Sequence, residues 1–196
     1  MRKLRLTSEF QLFTVEEIKG AMNLLDILLI VIVVYFVTMG FFRGLFREIV
    51  SIIGVFAGFY PTSIYYMMVA KHLSRWISDP SYLNIGSFLL IFFSIFILIG
   101  ILGIIAKYLL KVVTFGWLDR ASGIVFALVK GILVTSVILI SLTAFLKKGT
   151  PVIKDSLLAP HLTFVSEKMT AVSSEDIKNK FKLKIKPLKE AWKGKS

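Results

Sequence analysis

Residues 40–48, Gly40-Phe41-Phe42-Arg43-Gly44-Leu45-Phe46-Arg47-Glu48, set three charges and two glycines four apart between two long apolar stretches. Before them, residues 24–42 are broken only by Asp26; after them, residues 49–70 carry no charge, enough to cross about 30 Å of hydrocarbon as a helix. The segment reads as a hinge at a membrane surface, joining two spans through a tight basic turn.

Further uncharged windows at residues 80–106 and 131–146 give four candidate spans, expected at about 24–42, 47–70, 83–106 and 121–146. With 56% apolar residues and a mean hydropathy of +0.80, the chain is too hydrophobic for a soluble domain, where the apolar share is about 45–50%. The expected fold is an all-α membrane protein: four transmembrane helices in a small bundle. Lys107 and Lys111, one turn apart among apolar neighbours, suggest an interfacial helix over residues 107–118, before the fourth span.

Residues 1–21 are polar and lack a signal-peptide pattern. Lys19-Gly20-Ala21 before Met22 suits a ribosome-binding site read through as protein, so Met22 is the expected start, which N-terminal sequencing of the native product tests. At the other end, residues 147–196 form a basic tail holding half of the 24 Lys and Arg residues, on a chain of net charge +12. Such a tail favours anionic lipid headgroups. Nucleic acid is disfavoured, because no recognition motif accompanies the lysines. Within the tail, Asn179 to Pro187 alternates lysine with apolar residues, which suggests an extended strand or, without a partner strand, a mobile segment.

Small residues mark where helices pack. Gly40 and Gly44, Gly54 and Gly58, and the run Gly123, Ala127, Gly131, Thr135 repeat every four positions, each forming a stripe that admits a neighbouring helix. Gly100 and Gly103 are read in the same way. Pro61 removes a backbone donor and predicts a kink near residues 57–61, with Thr62 and Ser63 returning hydrogen bonds to the freed carbonyls.

Charge inside the spans locates the candidate site. Lys130 lies about nine positions into the fourth span, where an ammonium facing lipid costs about 2.5–3.5 kcal/mol. It is expected to pair with Glu48, to hold an anionic solute, or to snorkel toward the headgroups. Arg43, Arg47, Glu48, Asp119 and Arg120 gather on one membrane face if the spans alternate direction. Opposite charges there lock the two hairpins together, or the arginines take a headgroup or partner protein through their planar forks. Asp26, one turn inside the first span, suits the positive end of the helix dipole.

Catalytic signatures are poor. His72 and His161 lie far apart, Ser156 lacks a G-x-S-x-G setting, and there is no phosphate loop or cysteine, so no metal, cofactor or enzymatic activity is expected.

Met22-Asn23-Leu24-Leu25-Asp26-Ile27, Gly40-x-x-Arg43-Gly44-x-x-Arg47-Glu48, Trp117-Leu118-Asp119-Arg120-x-x-Gly123 and Lys130-Gly131, in that order and spacing, resemble the bacterial colicin V production (CvpA) family. The resemblance covers residues 22–160, with Ser156-x-x-x-Pro160 similar to the family's segment after the last span. It implies a four-helix cytoplasmic-membrane protein linked to colicin V production or export and to envelope homeostasis. Relatives that continue into an extracytoplasmic protease domain imply that both termini face outward. The expected role is interaction with lipids, export partners or further copies of the chain. The alternative is a small-solute transporter or channel subunit with Lys130, Glu48 and the Pro61 kink lining a path.

Overall fold

A computed structural model describes residues 22–109, 116–147 and 150–193. The helices are α1 (Leu24–Arg43), α2 (Leu45–Leu73), α3 (Pro80–Leu109), α4 (Gly116–Phe145), α5 (Pro151–Lys154), α6 (Ala159–Thr170) and α7 (Glu175–Lys193), with no strand among the described residues. The first four are long and apolar enough to cross a membrane, and they outrun the expected spans by a few residues at most ends. The extension at residues 1–21 lies outside the described residues. So does half of the expected interfacial helix: residues 107–109 continue α3, residues 116–118 open α4, and residues 110–115 are not described.

Local sequence sets the start of α1. The Asn23 side chain accepts from the backbone N–H groups of Leu25 (2.8 Å) and Asp26 (3.3 Å), while the Asp26 carboxylate accepts the Asn23 N–H (3.2 Å), a reciprocal cap. The helix ends at Gly44, whose φ of 76° lies in the left-handed region that favours glycine. The chain then turns directly into α2.

Across that hinge the two helices part company. α1 packs mainly on α4 and α2 mainly on α3, while α4 also touches α2 and α3 and forms the central column. α2 is nine residues longer than α1 (29 against 20), and both lead away from the hinge to the other end of the bundle. The C-terminal helices pack at this far end. There the second half of α4, from Val134 to Phe145, is buried on nearly every side, partly by α6 and α7.

The lysine-rich segment is a helix, neither a strand nor a mobile tail. Ile177, Phe181, Ile185 and Leu188 recur at helical spacing and are buried, and Leu183 is left exposed. Lys184 donates to the carbonyls of Ala144 and Leu146, closing the C-terminus of α4, whose last carbonyls have no partner within the helix. Ser174, ahead of α7, bonds Ser63 through both its N–H (3.0 Å) and its hydroxyl (2.7 Å, to the carbonyl).

α2 runs unbroken through Pro61. Ser63 donates to the carbonyl of Tyr60 (2.7 Å) rather than to that of Ala57, which Pro61 frees, and the hydroxyl of Thr62 is buried with no partner among the described residues, so neither makes the compensation expected of it.

Candidate functional site

At the hinge end the α1–α4 crossing is as close as backbones allow. A Cβ at Gly40 would strike Ala127 and stand 2.6 Å from the Gly123 carbonyl; one at Gly123 would stand 2.5 Å from the Gly40 carbonyl. Further along, Gly131 faces Val33, so the whole Gly123, Ala127, Gly131 stripe lies against α1. On the other pair, Gly54 and Gly58 face Ile99 and Phe92, and Gly103 faces Val50. Gly100 differs from the packing role expected of it, because nothing lies within 4 Å of the position its Cβ would take.

This crossing brings Asp119, in the first turn of α4, onto the hinge. Its carboxylate accepts the Leu45 N–H at 3.0 Å and lies against Gly44, where a side chain would collide with it. Asp119 thus caps α2 from another helix, and the N-terminal ends of α2 and α4 share one negative charge. Arg120 beside it lies over the Phe41 ring, 5.5 Å from the centroid.

Deeper in, Lys130 donates to Glu48 Oε2, and both residues are fully buried. The ammonium also sits 4.6 Å from the centroid of the Phe36 ring. Glu48 Oε1 has no partner among the described residues. The pair is neutral as a unit, which removes most of the penalty of either charge alone.

Arg43 and Arg47 are half-buried and form no ion pair among the described residues. Both line a cavity of about 350 Å³ between α1 and α3, helices that scarcely touch. The rest of its wall is apolar apart from the hydroxyls of Tyr35 and Ser51: Phe36 from α1, then Phe93, Phe96, Gly100 and Ile104 along α3. The sequence reading placed the arginines on this face but not the slot, whose walls come from helices far apart in the chain.

A second cluster escaped the sequence reading. Asp26 is buried, and besides capping α1 it accepts the Ser156 hydroxyl and the N–H groups of Leu157 (3.1 Å) and Leu158 (3.0 Å). It therefore holds the C-terminal helices to the start of α1, aided by Asn23 Nδ2 donating to the Val152 carbonyl (2.7 Å). Among the described residues no group of three or more His, Asp or Glu side chains is placed to share a metal ion.

A family model described as Colicin V production protein matches residues 25–167, from the first turn of α1 into α6. A curated relative, the Colicin V production protein homolog of Haemophilus influenzae, is 26% identical over 146 residues, covering 74% of this chain and 88% of the relative. No solved structure matches the chain.

Proposed function

The chain belongs to the Colicin V production protein family and is a multi-pass membrane protein, and from that premise we propose that it serves toxin production or export and envelope maintenance as a non-catalytic component. It works by binding lipids or partner proteins at its hinge end. The observation that carries this reading is the charge distribution there. Glu48 is spent on Lys130 and Asp119 on the α2 cap, which leaves Arg43, Arg47 and Arg120 without an acidic partner among the described residues. An end built this way attracts anionic groups.

The location that fits is the bacterial cytoplasmic membrane with the hinge end inside, because short cytoplasmic connections are rich in Arg and Lys. Lys147, Lys148 and Lys154 follow the fourth span closely and pull the other way, while the lysines of α7 lie farther along the chain and weigh less; the short connections decide the orientation we propose. A reporter fused at Ser196 that is active only in the cytoplasm overturns this orientation.

Photocrosslinkers placed beside Arg43 and beside Asp119 in native membranes test the role. One recurring adduct at both positions, distinct from the bulk-lipid adducts of exposed Leu98 on the apolar flank of α3, is the expected result; its absence at the hinge removes the proposal. The transporter reading draws on the buried charges of Lys130 and Glu48 next to a cavity. Reconstituted flux lost in a folded Lys130→Ala variant would favour it, yet Lys130 and Glu48 neutralise each other, so neither offers a free charge to a solute.

A further inference from the structure

The slot between α1 and α3 has a polarity that water-soluble anions and polar solutes do not match. From Ile104 to Phe93 its wall spans twelve residues of α3, about 16 Å, close to the depth of one leaflet of a hydrocarbon core about 30 Å thick. Over most of that depth it is lined by aromatic and aliphatic side chains. Tyr35, Ile97 and Ile101 on its rim are exposed, so it opens sideways to whatever surrounds the bundle. Its cationic part is formed by Arg43, at the end of α1, and Arg47, in the first turn of α2. The volume, about 350 Å³, lies at the low end of the range for ligand pockets.

We infer that this slot is a site for one anionic phospholipid of the hinge-side leaflet, with an acyl chain along Phe93, Phe96 and Gly100 and the phosphate held by Arg43 and Arg47. Arginine suits the task because its fork pairs two N–H groups with two phosphate oxygens. Gly100 has the role of leaving room: its missing side chain widens the slot midway along α3, where no neighbour needs the closeness. Phe36 ties the site to the bundle's interior, since the ring that lines the slot is also the one over which Lys130 sits. The inference rests on the interaction reading above and names one partner for it.

The test uses the full chain reconstituted in bilayers of equal phosphatidylglycerol and phosphatidylcholine with matched acyl chains, released for native mass spectrometry. The wild type is expected to retain one phosphatidylglycerol per chain in preference to phosphatidylcholine. Arg43→Gln combined with Arg47→Gln is expected to reduce that preference roughly tenfold, from the loss of charge-assisted hydrogen bonds. Gly100→Phe puts its Cβ in open space, directs its ring into the slot and is expected to retain neither lipid, with an unchanged unfolding temperature showing that the bundle stands. Equal retention of both lipids by the wild type, unaltered retention in Gly100→Phe, displacement by excess inorganic phosphate, or a second copy of the chain in place of lipid would each overturn the site. The two failures are separable: crosslinks beside Asp119 that persist when lipid is not retained remove this site and leave the interaction role in place.

Discussion

Lys130 and Glu48, 82 residues apart in sequence, form an ion pair with no solvent exposure inside the four-helix bundle. Because each charge is tolerated only through the other, single and double substitutions separate sharply. Lys130→Met leaves a buried carboxylate alone and is expected to cost about 3–5 kcal/mol, as is Glu48→Leu for the ammonium. The double variant Glu48→Leu with Lys130→Met is expected to recover most of that loss. Thermal unfolding of the four proteins in one detergent gives the coupling directly, and additive losses would show that the pair is not a unit.

Gly123 and Gly100 look alike in sequence and should respond oppositely to the same change. Gly123→Ala places a methyl against the Gly40 carbonyl and the Gly44 backbone, so α1 and α4 must move apart, at an expected cost of about 1–3 kcal/mol. Gly100→Ala meets open space and is expected to be neutral or to stabilise by up to about 1 kcal/mol through helix propensity. Unfolding temperatures of both variants decide the matter; a Gly123→Ala protein as stable as the parent contradicts the close crossing.

The contrast shows what could be read from the chain. Four spans were legible because length and absence of charge are local properties, and their ends ran on because a helix does not stop where hydrocarbon does. The helical nature of α7 was equally present in the sequence, in Ile177, Phe181, Ile185 and Leu188, but eight alternating residues inside it gave the opposite period. A window as long as the helix restores the right one. Which way Gly100 faces is not in the sequence at all, since only the gap between α1 and α3 decides it. Likewise, three of the four donors on Asp26 come from residues 156–158, so its second role depended on knowing that the C-terminal helices fold back.

That fold-back gives a graded prediction. Asp26→Ala strands the Ser156 hydroxyl and three backbone N–H groups, at about 1–3 kcal/mol for each one left buried. Ser156→Ala removes two hydrogen bonds, the one its hydroxyl donates to Asp26 and the one it accepts from the Ala159 N–H (3.0 Å), and leaves the carboxylate three others, for about 1–3 kcal/mol. Amide exchange in α5 and α6 is expected to rise strongly in the first variant and slightly in the second. Equal exchange in both would place the attachment of these helices elsewhere.

The docking of α7 should depend on pH through Asp176 and Lys180. Burial opposes the charge on Asp176, but hydrogen bonds from Lys180 (2.8 Å) and the Tyr66 hydroxyl (2.6 Å) outweigh it and hold the carboxyl below its ordinary 3.8. A depressed folded value means stability that is present above 3.8 and is lost as pH falls through the lower value, because the undocked helix binds the proton more readily. For Lys180, burial again opposes charge, and its bonds to Asp176 and Tyr66 raise it above 10.5, so its contribution is present below that value and lost only in strong alkali. Between these limits the attachment should be flat with pH. Both side chains are more than a third exposed, so solvent screening keeps the effect small and local to α7. Amide exchange across residues 175–193 is therefore expected to accelerate below about pH 4 relative to α4, once corrected for the intrinsic pH dependence of exchange. Asp176→Asn should abolish that acid step while leaving the buried row Ile177, Phe181, Ile185 and Leu188 in place, and an acid step that survives in this variant would assign it to another group.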